Sequence, residues 1–117
     1  MKNAQTERNW IVTVVCADDK MMRILNYKFL GKNDSTDVIA FELTDDFDQC
    51  ANGEIYINVE RVPQQAEEYH ALQRDELIRL LAHGIYHLLG FNDQTGRQRA
   101  SMNRLEDKVI KHFSNFH

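Results

Sequence analysis

The chain alternates between short stretches rich in apolar and β-branched residues and longer ones in which apolar residues recur every three or four positions. The first pattern predicts strands, and the second predicts amphipathic helices. Strands are predicted over 10–16, 36–43 and 54–59, and helices over 20–29, 63–70, 75–89 and after 96. This order of elements predicts a single α+β domain over residues 1–117, with about three strands and about four helices.

Signals at the element ends agree with these assignments. Asp18 or Asp19 is placed to cap the first helix, and Pro63 fits the first turn of the second.

The second and third strands can form an antiparallel pair despite the long acidic connection between them, and the polar residues 1–9 predict a flexible segment. The apolar positions predicted to face the core are Met21, Ile24, Leu25 and Phe29, then Leu77, Leu80, Leu81, Gly84 and Leu88, then Met102, Leu105, Val109, Ile110 and Phe113.

Composition narrows the class of protein. The chain has 117 residues and is 43 % hydrophobic, which is ordinary for a globular domain, and no apolar run approaches the roughly 18 residues of a membrane span. Because no apolar signal-peptide segment begins the chain, we expect a cytoplasmic protein with no membrane partner. Cys16 and Cys50 lack C-x-x-C spacing and are predicted to be free thiols.

Charge is distributed unevenly along the chain. The net charge of −4 argues against general affinity for nucleic acid, and we expect no DNA partner. From Gln94 onward the balance reverses, and arginine and lysine outnumber the two acidic residues Glu106 and Asp107. This reversal predicts either a small basic surface or an ordinary solvated helix face.

The stretch from His83 to Asp93 carries the main candidate chemistry. Histidines four residues apart lie on one face of a helix, so His83 and His87 can bind the same metal ion. Gly90 can end the helix in a left-handed conformation, which leaves Asp93 within reach of both imidazoles. Three donors with one free position are typical of a catalytic zinc site. We therefore predict a metal site made by these three side chains, with a helix C-cap and incidental histidines as the alternative.

The residue after the first histidine bears on the type of metal chemistry. Zinc peptidases place their glutamate base there, in the motif H-E-x-x-H, whereas this chain has Gly84. A metal-activated water is still able to attack a phosphodiester or a carbonyl group. A metal-dependent peptidase thus stays open as an alternative that lacks its usual base.

At these residues the chain resembles the YbeY family of bacterial rRNA maturation factors, which are metal-dependent endoribonucleases with a motif close to H-G-x-L-H-L-x-G-Y-D-H. The residues that match directly are His83, Gly84, His87, Leu88 and Gly90. Shorter matches lie at 25–26, 31–32, 36–41 and 53–55, and the resemblance covers roughly residues 10–110. It implies a small mixed β-sheet covered by helices, with the metal site at the end of a core helix.

Carried over residue by residue, the resemblance implies that His83 and His87 bind one Zn²⁺ per chain, with another divalent metal as the alternative. Asp93 falls at the third ligand position, where the family usually has histidine. The implied activity is single-strand endoribonuclease cleavage in rRNA maturation and ribosome quality control, with a metal-bound water attacking the phosphodiester. The implied partners are ribosomal RNA and the ribosome, and the candidates for a further catalytic role are Glu54 and Asn92.

One departure from the family bears on RNA binding. The family has an arginine, in a Tyr-Arg-Gly pattern, where this chain has Leu30. The candidates for holding phosphates are Lys28, Lys32 and Arg97. The missing arginine favours a further alternative, a non-catalytic ribosome-associated factor in which the metal is structural. The other histidines are predicted to have surface or capping roles: His70, His112 and His117.

Overall fold

The computed structural model describes residues 9–44 and 50–114. The segment predicted to be flexible lies outside the described residues except for Asn9, and so do part of the acidic connection and His117. The described strands are β1 (Trp10–Ala17), β2 (Val38–Glu42) and β3 (Ala51–Asn58), and the helices are α1 (Asp19–Leu30), α2 (Val62–Glu68), α3 (Gln73–Leu88) and α4 (Gly96–Ser114). The predicted α+β class is confirmed, and each predicted element is found within a few residues of its expected bounds.

The three strands form one mixed sheet in the order β1-β3-β2. β1 and β3 are parallel, with Val14 opposite Ile55. β2 and β3 are antiparallel, with Ala40 opposite Ile55. The predicted antiparallel pairing of the second and third strands is therefore confirmed. β3 lies in the centre of the sheet because it accepts a partner on each side, which leaves β2 along one edge.

Side chains alternate between the two faces of β3, so the sheet has a hydrophobic cluster on each side. The face toward α3 carries the larger cluster, made by Ile55, Ile57, Val62, Leu80 and Leu88. The face toward α1 carries the smaller cluster, made by Ala17, Met22 and Ile39. The sheet is thus covered by helices on both faces, and the helix with the candidate ligands lies against the larger cluster.

α3 packs tightly against the sheet at Gly84. A Cβ atom added to this residue would lie 2.8 Å from Cγ2 of Ile55, which is closer than real Cβ contacts allow. Only glycine therefore permits this distance between the helix and β3. The close approach places the end of α3, with both histidines, at the edge of the sheet near β2.

The predicted apolar stripe is displaced in α1, whereas the stripes of α3 and α4 are confirmed except at Leu77 and Phe113. In α1, Met22 and Asn26 are buried while Met21, Ile24 and Phe29 are exposed. In α3 and α4 the buried positions include Glu76 and Glu106, while Leu77 and Phe113 are exposed. Each helix thus buries a polar side chain four residues from a buried apolar one, so a count of apolar positions alone misjudges the buried face.

Two smaller expectations are also resolved. Both cysteines are free, as predicted. Asp18 rather than Asp19 caps α1, since its carboxylate accepts the backbone N–H of Met21 at 2.8 Å. Among the helices of the described residues, none combines the length and the apolar character that a membrane crossing requires.

Candidate metal centre

The chain reverses direction directly after α3. Gly90 has a φ of 97°, as the sequence pattern predicted, and its N–H donates to the carbonyl of His87 at 3.0 Å. The next N–H, that of Phe91, donates to the carbonyl of Tyr86 at 3.0 Å. These bonds satisfy the last carbonyls of the helix and carry the chain back toward its own last turn. Asp93 consequently lies beside the two histidines.

The three candidate ligand atoms form a nearly equilateral triangle. Nε2 of His83 lies 3.0 Å from Nε2 of His87, and these two atoms lie 3.3 and 3.4 Å from Oδ2 of Asp93. A tetrahedral zinc site with arms of about 2.0–2.1 Å has ligand separations of about 3.3–3.4 Å. The group can therefore hold a metal ion with little movement of its atoms.

A fourth residue, which the sequence pattern did not indicate, contacts this group from behind. Oε2 of Glu106, on α4, lies 2.6 Å from Nδ1 of His83. The Glu106 side chain is only 1 % exposed, whereas the side chains of His83 and His87 are 21 % and 31 % exposed. The available signal was its spacing, because Glu106 follows the buried Met102 by four residues on the same helix face.

Glu106 belongs to a row of buried and half-buried charges between α3 and α4. Its Oε1 lies 3.5 Å from Nη1 of Arg79, and Nε of Arg79 donates to both carboxylate oxygens of Glu76 at 2.9 and 3.0 Å. Burial lowers the pKa of Arg79, but the hydrogen bond and charge of Glu76, together with the charges of Glu106 and Asp37, outweigh that effect, so the net shift of the pKa is upward. We call Glu76, Arg79 and Glu106 the anchoring row.

The same carboxylates influence His83. Burial lowers the pKa of the imidazole, but its hydrogen bond to Glu106 and the negative charges of Glu106, Asp93 and Asp37 outweigh that effect. The net pKa of His83 is therefore raised above its ordinary value. A position that favours a positive charge on the imidazole is also one that suits a nearby metal cation.

The candidate ligand group, made by His83, His87 and Asp93, opens into a cleft of about 710 Å³ that runs along the free edge of β2. Its other wall is the end of α1 and the loop 31–37, which includes Asp34 and Asp37. The Asp19 carboxylate holds this loop, since it accepts hydrogen bonds from Ser35, from Asn58 at 2.9 Å and from Arg23 at 2.7 Å. These bonds lower the pKa of Asp19 to about 2, with the Ser35 bond the largest cause.

The remaining predicted site residues lie in different places. Lys32 lines the cleft, as does Leu30, whose exposure is 51 %. Lys28 lines a separate depression on α1. Arg97 and Asn92 line a third depression beside Gly90 and do not line the cleft.

Glu54 lies on the opposite face of the sheet from His83, His87 and Asp93. Its neighbours Gly53 and Ile55 face Leu88 and Gly84 of α3, so alternation along β3 directs Glu54 toward the face covered by α1. There Oε1 of Glu54 accepts a hydrogen bond from the hydroxyl group of Tyr56 at 3.0 Å. The other described histidines, His70 and His112, are exposed.

The structure also explains why the position after His83 is glycine. A glutamate at residue 84 would have to place its Cβ within 2.8 Å of the buried Ile55 side chain. The usual base of zinc peptidases therefore has no room at this helix–sheet contact.

Comparison with known proteins points to one family. A family model described as "Endoribonuclease YbeY" matches residues 1–114. Proteins named Endoribonuclease YbeY from Treponema pallidum and Christiangramia forsetii are each 32 % identical to the chain, over 92 % and 97 % of its length and 71 % and 87 % of theirs. The counterpart from Thermodesulfovibrio yellowstonii is 38 % identical over 86 % of the chain and 65 % of its own length. The solution structure of TM1509 from Thermotoga maritima superposes with a TM-score of 0.56 at 27 % identity, covering 89 % of this chain and 71 % of that one.

Proposed function

Because the chain belongs to the endoribonuclease YbeY family, we propose that it is a metal-dependent endoribonuclease that cuts single-stranded RNA in the cleft beside β2. The observation that carries this proposal is the triangle formed by Nε2 of His83, Nε2 of His87 and Oδ2 of Asp93, with sides of 3.0 to 3.4 Å. We further propose that the substrate is precursor ribosomal RNA, and that the protein acts with the ribosome in the cytoplasm.

We propose zinc as the ion, with His83, His87 and Asp93 as its ligands. Two imidazoles and one carboxylate form a ligand set that zinc accepts in catalytic sites. When bound, the ion would acidify a water molecule and supply a nucleophile for attack on a phosphodiester. Asp93 brings a negative charge where the motif of the family usually has a neutral histidine. The net positive charge of the ion and its three ligands would therefore be lower here.

The residues of the cleft have separate roles in this proposal. Lys32 is the only lysine or arginine among the described residues that line the cleft, and we assign it a contact with an RNA phosphate. Gly84 lines the cleft beside His83, and its missing side chain lets α3 pack closely on Ile55 of β3, which sets the position of the two histidines. The Asp19 network holds the loop 31–37 in place as the opposite wall.

The test uses the purified protein loaded with zinc and an end-labelled single-stranded rRNA fragment. We expect cleavage of the single strand, slower cleavage of the same sequence in a duplex, and loss of cleavage in His87→Ala. His70→Ala is the matched control, since it removes an exposed histidine that does not line the cleft. Equal cleavage by the parent and His87→Ala, or an uncut single strand, would contradict the proposal.

One observation favours a second candidate, a non-catalytic ribosome-associated factor with a structural metal. Leu30 lines the cleft where the motif of the family has arginine, while Asp34, Asp37 and Asp93 bring negative charge to the same cleft. An anionic wall repels RNA phosphates unless a metal or a cation offsets it. Leu30→Arg distinguishes the two functions: a nuclease with a weak phosphate contact gains activity, whereas a non-catalytic factor stays inactive and gains RNA affinity alone.

A further inference from the structure

We propose that Glu106 is a positioning residue of the metal centre, which holds the Nδ1–H of His83 and so presents the unprotonated Nε2 of that imidazole to the metal. This inference rests on the proposed metal-dependent function. Glu106 would be a fourth residue of the site, beside His83, His87 and Asp93. It lies on a different helix from the histidines and 23 positions after His83.

The direction of the hydrogen bond follows from the chemistry of the two groups. Oε2 of Glu106 lies 2.6 Å from Nδ1 of His83, and an ionised carboxylate can only accept a hydrogen bond. The imidazole must therefore carry a proton on Nδ1. A neutral imidazole has only one N–H, so its Nε2 then has a free lone pair. Nε2 is also the atom of His83 that faces His87 and Asp93.

The Glu106 carboxylate is itself fixed. At 1 % exposure it is out of reach of bulk water, and a buried charge is costly unless it is paired. Its second oxygen, Oε1, accepts no hydrogen bond within the described residues but lies at ion-pair distance, 3.5 Å, from Nη1 of Arg79. Arg79 is in turn held by Glu76 and lies over the ring of Tyr69 at 5.4 Å. The anchoring row therefore keeps the carboxylate in the orientation that His83 requires.

Glu106 also contributes charge. A carboxylate that accepts the second N–H of a metal-ligating histidine makes that histidine a stronger donor. Glu106 and Asp93 together place two negative charges around the two imidazoles, one behind His83 and one in front of it. The pair complements a divalent cation, although only Asp93 can touch it.

The first experiment measures zinc affinity by competition with a coloured chelator in the full chain. Glu106→Gln keeps the size of the side chain and removes its charge, and we expect affinity to fall about 10- to 100-fold. Asp107→Asn is the matched control, because it removes the charge of the next residue on α4, which is exposed and does not contact His83. An unchanged affinity in Glu106→Gln, or an equal loss in Asp107→Asn, would overturn the proposal.

The second experiment requires no metal. Long-range ¹H–¹⁵N spectra of the metal-free parent at alkaline pH report which nitrogen of each neutral imidazole carries the proton. We expect the proton of His83 on Nδ1, and a shift to Nε2 in Glu106→Leu. A proton on Nε2 in the parent overturns the inference. If the parent shows the Nδ1 proton but binds no zinc, the proposed function fails while the positioning by Glu106 stands.

Discussion

His83 and His87 lie one turn apart on α3 and direct the same ring nitrogen toward the same point, but they are held differently. His83 is supported from behind by the buried Glu106, which the anchoring row fixes. Among the described residues, the side chain of His87 makes its polar contacts with His83 and Asp93, the other members of the group. His83 is thus held in place by a buried residue of the fold, whereas His87 is held by the other two candidate ligands. The comparison shows that a symmetric motif can conceal an asymmetric site.

The largest expected difference comes from removing each histidine in turn. Both His83→Ala and His87→Ala should abolish stoichiometric zinc binding, as measured by metal analysis of the purified proteins. In the metal-free state, however, His83→Ala removes the hydrogen-bond partner of a buried carboxylate and should lower the free energy of unfolding by about 1–3 kcal/mol. His87→Ala should change it by less than about 0.5 kcal/mol. Equal stabilities of the two variants in urea titrations would refute the asymmetry.

Zinc itself should stabilise the parent. A ligand that binds only the folded state raises the free energy of unfolding by about 2.7 kcal/mol at a free concentration one hundred times its Kd. Thermal unfolding with zinc and with a chelator should therefore differ in the parent and coincide in His87→Ala. A zinc-dependent rise in Tm in that variant would show that His87 is not needed to hold the ion.

Gly84→Ala tests the scaffold that both histidines share. Its methyl group would press on the buried Ile55 side chain at 2.8 Å, so α3 must move away from β3 or Ile55 must change its rotamer. Overpacking of this kind costs about 1–3 kcal/mol, which a urea titration of the metal-free protein would detect. Gly96→Ala is a suitable control, since a Cβ there meets only the end of Arg99 at 3.9 Å. Equal stability of the two variants would mean that the helix–sheet contact is not tight.

The smallest effect is expected at the opposite wall of the cleft, which is held by the half-buried carboxylate of Asp19. The pKa of Asp19 is lowered from 3.8 to about 2 by its bonds to Ser35, Arg23 and Asn58. Its contribution to stability is therefore present above about pH 3.8 and is lost as the pH falls toward 2. The parent should unfold at a higher temperature than Asp19→Asn at neutral pH, and the two melting temperatures should converge as the pH falls through that interval. A difference that persists at pH 2 would contradict the assignment.

The sequence predicted the elements and the approach of His83, His87 and Asp93 for the same reason: both depend on local spacing. β-branched runs, helical periodicity, the capping aspartate and Gly90 all act within a few residues, and so does the approach of Asp93 to the histidines. The pattern failed where buried positions are polar. Asn26 is buried because its amide donates to the carbonyl of Asp34 at 2.9 Å, and Glu106 because it pairs with His83 and Arg79. Such partners are distant in sequence, so no local pattern distinguishes these residues from solvated ones.

The compact spacing of the three candidate ligands has a consequence for the order of events during folding. All three lie between positions 83 and 93, so bringing them together closes only a short loop once α3 has formed, and short loops close at a small cost in chain entropy. Glu106 arrives only when α4 docks, after a much longer segment has been ordered. The helix and its turn would thus suffice to bring the three candidate ligands together, and the docking of α4 would then add the bond from Glu106. Refolding in the presence of zinc should accordingly show metal uptake before the buried charges of α3 and α4 have paired.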